Sequence, residues 1–155
     1  DVYKRQLSFT SGIREETMVS SSDNMHCLGR LSLEEVRNAY QNADALLFPS
    51  RLEGLPRAVM EALSCGTPVI AADTSSLPEA VDEGMNGRLC PVDDVSAFVR
   101  AIRKLAGDET SWKHMTHEAR NTAENRFSLH RMIREYVELS EALVSRRRIE
   151  KVRQA

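Results

Sequence analysis

Short apolar runs alternate along the chain with amphipathic stretches, and this alternation predicts its secondary structure. Apolar runs are typical of strands in a parallel sheet, whereas apolar positions three or four residues apart are typical of helices packed on that sheet. The predicted strands are 7–9, 25–28, 45–48, 69–72 and 87–92, and the predicted helices are 33–42, 56–66, 78–83, 93–105, 111–125 and a last long helix after Ser128. This order of elements predicts an α/β fold built from βαβ units.

Several helix and strand boundaries have recognisable local signals. Ser32 followed by Glu35 has the spacing of a capping box, which predicts that a helix begins at residue 33. Pro56 is expected in the first turn of its helix, where proline is tolerated. The continuous apolar run 45–48 predicts a strand buried on both faces. One face of the helix over 93–105 is predicted to be apolar, formed by Val95, Phe98, Val99 and Ile102.

Composition and charge limit the classes of protein to which this chain could belong. The chain has 155 residues, 41% of them hydrophobic and 28% charged, which predicts a globular protein. Its formal net charge of −2 gives no field that would favour nucleic acid, so we expect no nucleic-acid partner. The three cysteines are too few for a disulfide framework, and their odd number favours a reducing cytoplasm. No apolar run is long enough to span a membrane.

The two ends of the chain differ from the rest. Residues 1–6 resemble the translation of a sequencing adapter, so we expect native sequence to begin near Leu7, part-way through a larger gene. A single domain is predicted over residues 7–145. Residues 146–155 form a basic tail that could contact anionic lipid at the inner face of the membrane, or could simply be a solvated terminus.

The candidate ligand-binding residues lie in the segment 50–62, which joins a predicted strand to the first turns of the helix that follows it. Ligands of open α/β sheets bind at this edge, beyond the carboxyl ends of the strands. The start of a helix offers unpaired N–H groups and a partial positive charge, which suit a phosphate. Gly54 would let the backbone come close to such a ligand.

Two carboxylates, Glu53 and Glu61, flank this helix start. They could not both contact one phosphate without repulsion, but they would suit hydroxyl groups on either side of a diphosphate. Alternatively, Glu61 makes only a helix-surface ion pair with Arg57, four residues earlier, and Glu53 is a solvated loop residue. The residues by themselves leave both interpretations open.

The ordered motifs around these carboxylates resemble the group 1 (family 4) retaining glycosyltransferases. The hallmark of that family is two glutamates separated by seven residues, followed by a small-residue turn and Gly-Thr-Pro-Val. The matching segments are Glu53–Arg57, Glu61–Ile70, His26–Arg30, Ala43–Ser50, Leu77–Val81 and Asn86–Leu89. The resemblance implies a Rossmann-like parallel sheet with flanking helices, the carboxyl-terminal half of a GT-B fold.

For function, the resemblance implies that the chain binds a nucleoside diphosphate sugar and takes part in sugar transfer with retention of configuration. It implies neither a metal nor any other cofactor. Glu53 would contact the transferred sugar as the catalytic residue, and the backbone N–H groups of Gly54 and Leu55 would receive the diphosphate. Pro56 and Arg57 would complete this loop.

Contacts to the rest of the nucleotide follow from the same resemblance. Glu61 would bind the ribose, and Arg30 and Leu31 would lie near the base. The acceptor, a glycan or lipid-linked sugar, would be bound by an amino-terminal domain that this sequence lacks. We therefore expect the chain alone to bind a nucleotide weakly and to transfer little or no sugar.

Some residues depart from the family pattern. Ser75-Ser76 stands where the family usually has Gly-Gly, and nothing in 7–23 matches the Arg and Lys that hold the phosphates. A nucleotide-sugar epimerase of similar architecture and a non-catalytic nucleotide-binding module remain alternatives. His114 and His117 have the spacing of metal ligands, but no third ligand lies nearby in the sequence, so no metal site is predicted.

Overall fold

The computed structural model describes residues 7–9 and 25–153, with side chains described over 28–146. The chain forms two compact units, residues 1–39 and residues 40–155. The residues predicted to be adapter-derived, 1–6, lie outside the described part of the chain.

The first unit contains a pair of parallel strands and most of a helix. Strand β1 (Leu7–Phe9) pairs with β2 (Met25–Cys27), with Leu7 opposite Met25. Helix α1 (Leu33–Gln41) follows and extends into the second unit. The predicted capping box is confirmed, because the backbone N–H of Ser32 donates to Glu35 Oε2 at 2.8 Å while that of Glu35 donates to Ser32 Oγ at 3.4 Å.

The second unit is built on a three-stranded parallel sheet with the order β3-β4-β5. Its strands are β3 (Leu46–Phe48), β4 (Val69–Ala72) and β5 (Gly87–Cys90). Its helices are α2 (Arg57–Ser64), α3 (Leu77–Ala80), α4 (Val95–Gly107), α5 (Glu109–Arg126) and α6 (Leu129–Arg153). Parallel strands joined through helices confirm the predicted α/β fold class.

The core of the second unit surrounds the central strand. All four residues of β4 are buried, because the strand has a neighbour on each side and helices cover its faces. Helix α2 packs mainly against α5. These two helices contribute the buried side chains of Val59, Ala62, Leu63, Met115, Ala119 and Ala123.

Two buried positions fix how β5 joins this core. A Cβ atom at Gly87 would lie 2.1 Å from the carbonyl oxygen of Val69, so β4 and β5 can pair only with glycine there. Asn86 is fully buried and satisfies three groups: it donates to Ala80 O at 3.0 Å and Thr122 Oγ1 at 3.1 Å, and its Oδ1 accepts from Asp82 N at 2.8 Å. The side chain of Asn86 therefore joins the end of α3 to α5.

The predicted burial of β3 on both faces was wrong, and the predicted apolar face of α4 is buried only in part. Strand β3 is only half-buried, because it lies at the edge of its three-stranded sheet. On α4, Phe98 of the predicted apolar face is buried, whereas Val95 is 74% exposed and Val99 and Ile102 are about 40% exposed. The buried residues of this helix are Ala97, Phe98 and Leu105, since α4 presents the face centred on these positions to the core.

Two boundary predictions also need correction. Pro56 is the N-cap of α2, with an extended backbone (φ −73°, ψ 125°), so the helix begins one residue later than predicted. Helix α3 ends at Ala80, because Val81 has already turned to an extended conformation.

The last two helices differ in how they are packed. Trp112 of α5 donates from its indole Nε1 to Asp44 O at 2.9 Å, which anchors this mostly polar helix. Apart from the half-buried Arg131, the described residues of helix α6 are exposed. They include eight large apolar residues that are 50–67% exposed: Leu129, Met132, Ile133, Tyr136, Val137, Leu139, Leu143 and Val144. Within the described residues no helix combines the length and apolar character that crossing a bilayer requires.

Candidate functional site

The loop between β3 and α2 leads directly into the start of a helix whose first backbone N–H groups have no hydrogen-bond acceptor among the described residues. Among the described residues, no side chain caps α2, and the backbone N–H groups of Arg57 and Ala58 have no acceptor. The first N–H groups of a helix lack intrahelical partners and carry a partial positive charge. This end of α2 can therefore accept an anion.

Glu53 lies on this loop and is held in place. Its side chain is half-buried, and Oε1 accepts a hydrogen bond from Ser50 Oγ at 2.6 Å. The alternative of a freely solvated loop residue is therefore not what the structure shows. A carboxylate held in this way can accept further hydrogen bonds from ligand hydroxyls.

Glu61 lies in the second turn of α2 and makes the ion pair that the alternative interpretation predicted. Arg57 Nη2 lies 3.4 Å from Glu61 Oε1, with 83% of the arginine side chain and 40% of the glutamate side chain exposed. An ion pair this exposed contributes little to stability. The pair is therefore no obstacle to a second role for Glu61.

Tyr40, which was not among the predicted site residues, lies close enough to Glu61 for the negative charge of that carboxylate to affect its pKa. Burial raises the pKa of the Tyr40 phenol, and the negative charge of Glu61 raises it further. Nothing in the sequence pointed to the proximity of Tyr40 to α2.

Hydroxyl groups of the β4–α3 turn bind the carbonyl groups of the β3–α2 loop. Ser76 Oγ donates to Gly54 O and lies 3.4 Å from Glu53 O. Thr74 Oγ1 donates to Arg51 O at 3.2 Å. These contacts tie the loop to a turn more than twenty residues later in the chain, which the sequence did not predict.

Two residues near the loop adopt left-handed backbone conformations without being glycine. Ser75 has φ +51°, and Asp93 has φ +62°. Such conformations are uncommon for residues with a Cβ atom. Ser75 occupies a position where the family that the chain resembles usually has glycine, the residue that adopts this conformation most readily. Asp93 accepts a hydrogen bond from Arg51 Nε at 2.9 Å.

An open groove of about 410 Å³ adjoins the loop at Leu55. Its other lining residues are Glu79, Arg126, Phe127 and Arg131. Arg126 already pairs with Asp82 at 2.7 Å, and Arg131 pairs with Glu135 at 2.6 Å. Both arginines of the groove are therefore paired with carboxylates, and Glu79 adds a further negative charge to its lining.

The structure brings Glu53, Gly54, Leu55, Pro56, Arg57 and Glu61 together within one loop and helix of the second unit. Arg30 is exposed and Leu31 half-buried, both just before α1 in the first unit, and their predicted place near the base stays a prediction. Within the part of the chain that the structure describes, no group of three or more His, Cys, Asp or Glu side chains could hold a metal ion.

Comparison with known proteins identifies the family. AmsK of Erwinia amylovora, an amylovoran biosynthesis glycosyltransferase, is 29% identical over 137 residues, covering 83% of this chain and 34% of that protein. Sucrose-phosphate synthase of Thermosynechococcus elongatus has a TM-score of 0.74 at 25% identity, covering 80% of this chain and 31% of that chain.

A third relative is known with a ligand. HepE of Anabaena, solved in complex with UDP-glucose, has a TM-score of 0.70 at 21% identity, covering 78% of this chain and 33% of that chain, and this likeness shows the fold alone. The chain thus matches about a third of the length of each of these three relatives. Residues 17–122 match the profile of the family described as glycosyl transferases group 1. Because this match covers more than half of the sequence, the chain belongs to the glycosyl transferases group 1 family.

Proposed function

We propose that the chain is the donor-binding part of a retaining, metal-independent glycosyltransferase that uses a nucleoside diphosphate sugar. The observation that carries this proposal is the uncapped start of α2, with one held carboxylate before it and a second one turn into the helix. An anion can bind at the helix start, while each carboxylate can accept hydrogen bonds from hydroxyl groups.

The proposed roles follow from these positions. The N–H groups of Gly54 and Leu55 receive the diphosphate together with the start of α2, which Pro56 and Arg57 form. Glu53 hydrogen-bonds hydroxyls of the transferred sugar, and Glu61 hydrogen-bonds the ribose. Arg30 and Leu31 lie near the base in this proposal.

Electrostatic stabilisation of the leaving diphosphate is the chemical task of this site. Negative charge develops on the diphosphate as the bond to the sugar breaks, and preorganised N–H donors stabilise such charge without rearranging. Positive protein groups take the place of a metal ion in this proposal. The complex of HepE with UDP-glucose supports a nucleotide sugar as the donor.

The acceptor is proposed to be a glycan or a lipid-linked sugar. AmsK is named for amylovoran biosynthesis, and another relative, of Klebsiella pneumoniae, is described as lying in a cps region, which supports polysaccharide assembly. We propose that the acceptor site lies outside the 155 residues and that the protein works at the cytoplasmic side, in contact with the membrane surface. Measurable sugar transfer by the 155-residue chain alone would refute the placement of the acceptor site.

Calorimetric titration with UDP, GDP and ADP and their sugars tests donor binding. We expect one of these bases to be preferred, with Glu61→Ala weakening the nucleoside diphosphate about ten-fold, as expected for a lost hydrogen bond to a charged group. Glu53→Ala should instead remove the preference for the nucleotide sugar over the free nucleoside diphosphate.

A matched control separates these roles from a general effect of surface charge. Glu109 makes the same type of i,i+4 ion pair with Lys113, at 2.7 Å, on helix α5. Glu109→Ala should leave nucleotide affinity unchanged. If Glu61→Ala and Glu109→Ala have equal effects, Glu61 is only a surface ion-pair residue, and its proposed role is wrong.

A further inference from the structure

The hydroxyl of Ser76 is used in an unusual way. Ser76 is the N-cap of α3, a position where a serine hydroxyl ordinarily accepts a hydrogen bond from the N–H groups of its own helix. Here no such capping bond forms. The hydroxyl instead donates across to Gly54 O, with Glu53 O also within reach at 3.4 Å.

Binding a carbonyl group fixes the direction of the next N–H group. A trans peptide unit is planar, so the C=O of one residue and the N–H of the following residue point in opposite directions. When Gly54 O points toward Ser76, the N–H of Leu55 must point away from it. In the same way, the contact to Glu53 O directs the N–H of Gly54 away from Ser76.

These two N–H groups are available to a ligand. Among the described residues neither Gly54 N–H nor Leu55 N–H has a hydrogen-bond acceptor. Gly54 is exposed, and beyond its chain neighbours no atom lies within 4 Å of where its Cβ would lie, so the side-chain direction at this position is open. The hydroxyl of Ser76 is the side-chain group that contacts the Gly54 carbonyl, and it therefore restrains the Gly54–Leu55 peptide.

We propose that Ser76 is a positioning residue that holds the Gly54 and Leu55 amides in the direction needed to receive the diphosphate. Thr74 supports it by binding Arg51 O at 3.2 Å, at the other end of the same loop. This inference rests on the proposed function, because it assigns the two amides a diphosphate ligand. The family that the chain resembles usually has glycine at this position, and glycine has no hydroxyl with which to make this contact.

The test compares ligands that do and do not carry the diphosphate. In the 155-residue chain, Ser76→Ala should weaken UDP binding about five-fold, the effect expected from one lost neutral hydrogen bond, and change uridine binding less than about two-fold. Ser76→Thr keeps the hydroxyl and should restore UDP affinity. Ser140→Ala removes a comparable hydroxyl-to-carbonyl bond of 2.7 Å on α6 and should change neither ligand.

A second measurement needs no ligand. Backbone ¹⁵N order parameters of Gly54 and Leu55 should fall in Ser76→Ala and return in Ser76→Thr. Unchanged order parameters, or an equal loss of UDP and uridine affinity, would overturn the role proposed for Ser76 but not the proposed function. Failure of the wild-type chain to bind any of UDP, GDP or ADP would instead overturn the proposed function.

Discussion

Replacing Asn86 with alanine tests whether this buried amide holds the second unit together. The substitution removes three hydrogen bonds at once and leaves Ala80 O, the Asp82 N–H and Thr122 Oγ1 without that partner. A hydrogen bond contributes about 1 kcal/mol to stability, so the free energy of unfolding should fall by about 3 kcal/mol. For a chain of this length the melting temperature should fall by roughly 6–12 °C.

Urea unfolding followed by circular dichroism measures this loss, and an unchanged m value would show that the same unfolding transition is being compared. Thr122→Val removes only one of the three bonds at similar volume, so it should cost about 1 kcal/mol. Below its melting transition, Asn86→Ala should bind nucleotide as the wild type does, because Asn86 is fully buried and cannot contact a ligand. A melting temperature within about 2 °C of the wild type would refute this account of the network.

Three further substitutions or treatments test other features. Gly87→Ala should destabilise the chain by about 3 kcal/mol or more, measured as the urea midpoint, whereas Gly107→Ala, with no atom within 4 Å of its Cβ, should be neutral or slightly stabilising. The pKa of Tyr40 is raised in the fold, so its contribution to stability is fully present below about pH 10 and is lost as the pH rises through the raised pKa. Tyr40→Phe should therefore flatten the fall in the urea midpoint above about pH 10. Burial raises the pKa of Cys90, so iodoacetamide at neutral pH should label the half-buried Cys65 faster than Cys90, as measured by peptide mass spectrometry; equal rates would contradict the burial of Cys90.

The strands and the helices after them could be predicted because each has a strong local signal. The run Val69–Ala72 is apolar at every position, and the structure buries all four residues. Ser32 and Glu35 form the expected capping box, because both partners lie within one turn of chain. Burial within α4 could not be predicted in this way. Its apolar residues cover more than one face, and only the neighbouring elements decide that Phe98 is buried and Val95 is not.

The candidate site shows the same division between local and distant contacts. Glu53, Gly54 and Glu61 could be selected from their spacing, because the loop and the helix start are consecutive in sequence. The contact from Ser76 to Gly54 and the proximity of Tyr40 to Glu61 join segments about twenty residues apart. Such contacts depend on how the helices pack on the sheet, which no local pattern determines.

Helix α5 packs against α2, so side chains of α5 help to fix the position of the helix whose start forms the candidate site. Arg120 of α5 donates to Ser64 O at the carboxyl end of α2, and the Cβ-free face of Gly66 lies against Thr116. Ala119, fully buried on α5, leaves no room for a larger side chain without displacing a neighbour. Enlarging it would shift α2 and, with it, the amides at the opposite end. If those amides receive the donor, a larger side chain at the buried position 119 would weaken donor binding without itself contacting the donor.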